Sequence, residues 1–489
     1  MKRIVILFAS AALLLFTGCN DFLDTKYYKG VDVDNGLDKV TNITTATIGI
    51  YNRLFDRYFA GNYATSIGDI PTDITYWNGN TGHWDNIYQY TVLPTDTYLS
   101  NIWNYGYKII DNSTRVINAG LELYGEATNA EKEELDLDIA MAYGLRAYAD
   151  LVLVNVFCHQ AKVNGKDFTS QPGIVVIDKE TVAPFTDVTR STIAQTYTQI
   201  FADLAQAEAH FTAAGGDTGD PFFIGVAAVK GIKARANLYM ENWSAAKTAA
   251  QEALTAAGNP ALAYTAADYA KLFAGGDSNS ESFFMLDINQ AQNWSANSCG
   301  TLWSTYSFSP SPKLQSLYAD TDIRTSIFAW EATSTPLVPV FSAGKFAAAS
   351  GNSAHGTNYL VNAPEMYLII AEASAQGGSI ADAQKALLTV AKRNTAIASV
   401  ADLPSDKAGI LAFIKDERAR ELFQEGLRLW DLRRWGDKVG VTANGAPSVQ
   451  FKHNNYDISN LVFPIPKAEV DAGYGVTQNE GWDGTLPKN

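Results

Sequence analysis

Cysteine is scarce in this 489-residue sequence: Cys19, Cys158 and Cys299 are all there is. Three such residues, spread so widely, build neither a disulfide framework nor a cysteine-rich zinc site. Histidine is equally thin. His83, His159, His210, His355 and His453 lie at least 51 residues apart, with no HExxH among them, so a local metal site is excluded. GxSxG, GxGxxG and P-loop patterns are absent, and no cofactor is expected. Ser244–Lys247 and Ser342–Lys345 fit SxxK, but without the accompanying KTG and SDN they read as chance matches. Positive charge is deficient too: 37 basic against 52 acidic residues leave a net charge of −15. That field repels a phosphate backbone and argues against nucleic acid as a partner. Beyond the first nineteen residues there is no apolar run long enough to cross a bilayer.

What is present begins with those nineteen residues. MKRIVILFASAALLLFTGC carries Lys2 and Arg3, an apolar stretch from Ile4 to Phe16, and small residues before Cys19. The stretch is too short to span a bilayer of ~30 Å and reads as a signal segment. Phe16-Thr17-Gly18-Cys19 is similar to a bacterial lipobox, with Phe16 where leucine is usual. It implies cleavage after residue 18 and lipidation of Cys19, whose acyl chains would then hold the protein on the membrane. An ordinary secretory signal with an incidental cysteine is the alternative. Cys158 closes an apolar run and reads as a small core residue; whether it pairs with Cys299 is open.

Helical periodicity dominates the remainder. TNITTATIGIYNRLFDRYF starts at Thr41 or Asn42 as cap and sets Ile43, Ala46, Thr47, Ile50 and Leu54 on one face. A second helix starts at Trp103, a long third runs through EKEELDLDIAMAYGLRAYADLVLVNVF, and a fourth covers Thr192 to Thr212. FFIGVAAVKGIKARANLYM, a break at Glu241-Asn242, and WSAAKTAAQEALTAA form a helical pair rich in small residues, Ala227, Ala228, Gly231, Ala234 and Ala253. It is similar to a tetratricopeptide unit. A like pair recurs between Asn358 and Ala396, with Gly377-Gly378 closing one helix and Ser379 opening the next. The expected fold is therefore mostly α: a tetratricopeptide-like scaffold, about 41–256 and 357–440, interrupted by a large loop-rich insert at about 257–356. An irregular segment, 441–489, closes what reads as a single domain, 19–489, behind an 18-residue signal peptide.

ERARELFQEGLRLWDLRRWG, Glu417 to Gly436, holds five arginines and four acids. Ala419, Leu422, Phe423, Gly426, Leu427 and Trp430 share one helical face. Acids and arginines on the other side sit at i,i+3 and i,i+4 spacings: Glu425 to Arg428, Arg428 to Asp431, Asp416 to Arg420. A phosphate-binding surface would not be neutralised by its own acids, and no nucleophile or histidine is near. The planar guanidinium suits carboxylates and carbonyls, so the stretch reads as a structural strut.

That stretch, together with APEMYLIIAEASAQGG, RAYADLVLVNVF, the closing FPIPKAEVDAGYGVTQNEGW and the CNDFLD after the signal, resembles the hallmark segments of the SusD/RagB family, in the family's order from Cys19 to Trp482. The resemblance implies a surface-exposed, lipid-anchored outer-membrane protein of Bacteroidetes type. Such proteins are built on tetratricopeptide helices, bind glycans, and sit as a lid on a SusC-like TonB-dependent transporter. It further implies that ligand-binding aromatics come from loops outside the repeats.

Two loops meet the chemical need for flat apolar platforms with a polar rim. SIGDIPTDITYWNGNTGHWDNIYQY offers Trp77 and Trp84, with Asp73 and Asn78 as hydrogen-bonding groups. NQAQNWSANSCGTLWSTYSF offers Trp294, Trp303 and Tyr306. Aromatics in loops also serve simply to pack the loop down. Trp103, Tyr105, Tyr107, Trp243, Trp430 and Trp435 read as scaffold. The expected function is capture of an oligo- or polysaccharide and its delivery to the transporter, without catalysis. A lipid-anchored glycoside hydrolase, its carboxylate pair hidden among the acids, and a protein-interaction module without carbohydrate are the alternatives.

Overall fold

The computed structural model describes residues 36–77, 81–179, 182–328, 344–346, 352, 354–439, 442–443, 446–447, 456–457, 462–480 and 482. The signal segment, Cys19 and Asn78 lie outside them. The fold is mostly helical. Helix α1 (Val40–Phe55) packs on α3 (Thr97–Leu123) and α4 (Asn129–Phe157), with the short α2 (Tyr63–Asp69) between α1 and α3 in sequence. Helix α4 packs on α5 (Ile193–Ala213), which packs in turn on α6 (Val226–Tyr239). Then α6 pairs with α7 (Trp243–Ala256), α7 with α8 (Ala363–Gln376), α8 with α9 (Ile380–Ala391), and both of these with α10 (Lys407–Leu422). Each helix thus covers its neighbour's apolar face, as solenoid units must.

Side-chain caps fix the starts of α3, α4, α5 and α10. Thr128 and Glu131 form a reciprocal capping box at the start of α4, and Thr192 and Gln195 repeat it for α5, each satisfying two orphan donors. Helix α1 starts at Val40, with Lys39 rather than Thr41 or Asn42 at its cap. Helix α3 begins at Thr97, not Trp103, because the Asp96 carboxylate accepts the Leu99 N–H at 2.9 Å. In α6, a Cβ on Gly231 would meet Val361 Cγ1 at 2.4 Å. That glycine therefore makes room for a strand rather than for the partner helix. Cys158 and Cys299 are both buried and unpaired. Helix α4 is apolar and long enough to cross a membrane, but 89% of its most apolar window is buried inside the protein.

The insert contains ordered pairing. Strand β2 (Ser282–Ile288) lies antiparallel to β4 (Gly356–Asn362), and β1 (Thr75–Trp77) lies antiparallel to β3 (Phe308–Pro310).

The arginine-rich stretch is not one helix. Helix α10 ends at Leu422 and α11 (Arg428–Trp435) follows a turn in which Gln424 and Gly426 take φ of +68° and +73°. At this turn α2 crosses the chain so closely that a Cβ on Gly68 would stand 1.8 Å from the Gly426 carbonyl oxygen. Nor is the charged side solvent-facing. Glu417, Arg418, Glu421, Arg428, Asp431, Arg433 and Arg434 are buried. Arg418 and Arg434 share Asp431, and Arg420 meets Glu417, within the stretch. The other partners lie elsewhere: Arg428 on Asp73, Arg434 also on Glu372, Glu425 on Lys345, and Glu417 and Glu421 on Arg324. Arg433 donates to the carbonyls of Asn155 at 2.5 Å and Cys158 at 2.6 Å. It thereby satisfies the C-terminus of α4, where a cation suits the helix dipole.

Candidate functional site

The two aromatic loops come together. Trp77 is in register with Phe308, and Tyr76 with Ser309. The clasp continues past the strands: Thr81 and Ser307 share a hydroxyl hydrogen bond, and the His83 ring stacks on Tyr306 at 5.2 Å and 22°. Ser311 closes the other end, donating its hydroxyl to the Asp73 carbonyl at 2.6 Å.

Inside this clasp the expected platforms divide. Trp84 is 1% exposed, stacked on Tyr98 at 4.1 Å and edge-on to Tyr63 at 5.3 Å. Trp303 is 2% exposed, edge-on to Phe423 at 5.0 Å. Neither has a face to offer; they are core residues that hold their loops to the helices. Trp77, 9% exposed, donates its indole N–H to Thr81 at 3.1 Å and leans on Tyr88, so it belongs with them. Asp73 is also corrected. It is buried and accepts both Arg428 Nε and Nη2 at 2.9 Å, and Lys313 besides. Burial pushes its pKa up, but Arg428 and Lys313 outweigh burial and hold it well below the usual carboxylate range. Nothing of that carboxylate is left for a ligand.

Trp294 and Tyr306 are half-buried and keep ring surface in reach of solvent. Trp294 is oriented by its N–H, donated to the Phe55 carbonyl at 3.2 Å, with the Phe55 ring 5.6 Å away. The loop that follows α1 adds residues not singled out from the sequence. Tyr58 lies 5.1 Å from Tyr105 and 5.5 Å from Tyr63, and Tyr63 lies 5.0 Å from Tyr98. Arg57 donates to the Tyr58 hydroxyl at 2.8 Å and stacks on its ring at 4.7 Å. Lys108 caps the Tyr105 ring at 4.4 Å. Tyr105, read as scaffold, is thus part of a half-exposed aromatic ridge. Asn62 ties this loop to the Trp294 loop, donating to the Asn297 carbonyl at 2.6 Å.

The result is a belt of half-exposed rings, Tyr306 with His83, Tyr58 with Tyr105, and Trp294 with Phe55, backed by the buried Trp84 and Tyr63. Burial raises the phenol of Tyr63 to about 12, and burial followed by the nearby Asp56 raises that of Tyr105. Both stay neutral; Tyr63 is buried, and Tyr105 is half-exposed with its ring capped by Lys108. Among the described residues, no group of three or more His, Cys, Asp or Glu side chains is placed to hold a metal. The belt offers surface, polarity and shape. Its one sequence signal was RLFDRYF, whose aromatics follow the end of α1, but helical spacing disguised them as a core face.

Residues 313–482 match a family model described as the SusD family, and residues 21–214 match one described as starch-binding associating with outer membrane. The chain belongs to the SusD family. Neither SusD model reaches 215–312, the stretch that carries Trp294, Trp303 and Tyr306. No curated protein matches the sequence. Among solved SusD structures, a superfamily protein from Bacteroides thetaiotaomicron is 21% identical, with a TM-score of 0.78 over 90% of this chain and 99% of that one. A superfamily protein from Bacteroides vulgatus is 21% identical, with a TM-score of 0.80 over 91% and 99%. A SusD-like carbohydrate-binding protein from the same species is 21% identical, with a TM-score of 0.67 over 82% and 84%. At these identities the likeness is one of fold: the tetratricopeptide-like helical frame of the SusD family is this protein's frame.

Proposed function

We propose that this protein captures oligo- or polysaccharide at the cell surface on the aromatic belt and passes it, uncleaved, to a SusC-like TonB-dependent transporter. The observation that carries the reading is the clasp: two aromatic loops far apart in sequence are locked side by side, leaving Trp294, Tyr58, Tyr105 and Tyr306 half-exposed. Sugar rings present apolar C–H faces with hydroxyls at their edges, and such rings with polar tips complement both. Stacking one sugar face removes on the order of 50–100 Å² of apolar surface, about 1–2.5 kcal/mol. Two or three such contacts give micromolar to millimolar affinity after the cost of association, which suits hand-over. Asn78, beside Trp77 in sequence, is a candidate rim donor.

Replacement of Trp294 and Tyr58 by alanine tests this. Migration through gels containing starch or other polysaccharides should lose its retardation, with thermal stability and transporter binding preserved. Retardation equal to wild type removes the belt assignment, and appearance of shortened oligosaccharides supports the hydrolase alternative. Anchoring rests on Cys19: Cys19→Ser should move the protein from the membrane to the soluble fraction, and continued membrane association of that variant would refute lipidation at this thiol.

A further inference from the structure

On the helical side of the molecule a second cleft of about 710 Å³ opens between the α6–α7 turn, α8, α10 and the end of α11. Two indoles line it, and they differ. Trp435 is pinned: it donates its N–H to Glu372 at 3.0 Å, with Arg434 4.6 Å and Lys415 5.0 Å from its ring. Trp243, at the first position of α7, is half-buried and packs against the core, and its indole makes no hydrogen bond or aromatic ring contact among the described residues. Its N–H is engaged by none of the described residues and is not enclosed, so it is accessible to a ligand acceptor entering the cleft.

The cations of the cleft are already matched. Glu372 takes both nitrogens of Arg434 at 2.5 and 2.7 Å, Asp437 takes Lys415 at 2.8 Å, and Glu241 accepts the Gly165 N–H at 3.0 Å. An anionic ligand would therefore find no unpaired cation, and Glu241, held only by a neutral amide, would repel it. A neutral ring with an apolar face for Trp243, and hydroxyls for its N–H and for the amides of Asn164 and Gln376, fits the lining. We propose that the Trp243 cleft is a second saccharide-binding site, for a short neutral glycan segment, separate from the loop belt. It rests on the reading of this protein as a glycan binder and adds a second point of purchase, so that one long chain could be held at two places at once.

Fluorotryptophan-labelled full chain in a sugar-free detergent, titrated with neutral maltooligosaccharides, galactooligosaccharides and xylooligosaccharides, separates the possibilities by fluorine NMR. Single Trp→Phe variants assign the resonances. Shifts of both Trp243 and Trp294, saturating independently, are expected, and Trp243→Ala should weaken binding about tenfold as read at Trp435, which lines the same cleft, while leaving the Trp294 titration unchanged. A shift at Trp294 alone overturns the second site and leaves the belt intact. A shift at Trp243 alone supports the second site and overturns the belt. Silence at both with every glycan overturns both.

Discussion

Asp73 and Trp294 were indistinguishable as candidates in the sequence, each a polar or aromatic residue in a loop. The folded chain separates them by what reaches them. Asp73 meets Arg428 from a helix 355 positions away, and a contact of that range leaves no local mark. Trp84 and Trp303 fail as platforms for the same reason, since Tyr98 and Phe423 bury them. Tyr58 and Tyr105 were missed in the opposite direction, because ring spacing along a helix looks the same whether the ring ends up inside or on a ridge. A test belongs at Asp73. Asp73→Asn leaves buried Arg428 without its carboxylate, a loss of about 3–5 kcal/mol measurable as a lower denaturant midpoint. Glycan affinity of the folded fraction should be unchanged; a selective loss of affinity at full stability would return Asp73 to the binding site.

At the level of elements, what could be read was what is encoded locally. The Thr128–Glu131 and Thr192–Gln195 boxes and the small-residue hairpins involve neighbours in sequence, so helix existence and pairing were legible. The start of α3 was less so, since its first turn carries too little apolar pattern. The break between α10 and α11 was hidden altogether: apolar offsets run on through Gly426 as though the helix continued, and only the crossing of α2 demands the turn. Gly426→Ala should expose that demand. It forces a Cβ to within 2.4 Å of the Thr65 carbonyl oxygen at φ +73°, costing more than about 2 kcal/mol. Gly49→Ala, in the middle of α1 with nothing within 4 Å of the new methyl group, should instead stabilise by ~0.5–1 kcal/mol. Equal effects in thermal unfolding would refute the assigned close approach.

Over the whole molecule, the buried acids set a dependence on pH. Burial raises Asp69 to about 7 and Asp138 to about 6, and raises Asp150, which has no hydrogen-bond partner among the described residues, well above its usual value. A raised carboxylate holds its proton more tightly when folded. Its ionisation therefore opposes folding increasingly as pH climbs from the unfolded value near 4 to the folded one, and fully above it. Glu417 runs the other way. Burial raises its pKa, but Arg324 and Arg420 outweigh that and bring it to about 2, so its contribution is complete above the unfolded value and fades as pH falls toward 2. The denaturant midpoint should accordingly be higher at pH 5 than at pH 8, by about 1–4 kcal/mol in stability. Asp69→Asn should remove part of that difference; an identical gap in this variant would clear Asp69 of responsibility.

Because Tyr76 and Trp77 are stitched to Ser309 and Phe308, neither loop has a shape of its own. Exchanging one of them for its counterpart from another SusD protein would leave a strand edge facing a stranger. Diversification of ligand preference on this frame would then have to proceed by matched changes in both segments, and chimeras that transplant the two together should keep a working surface where single transplants do not.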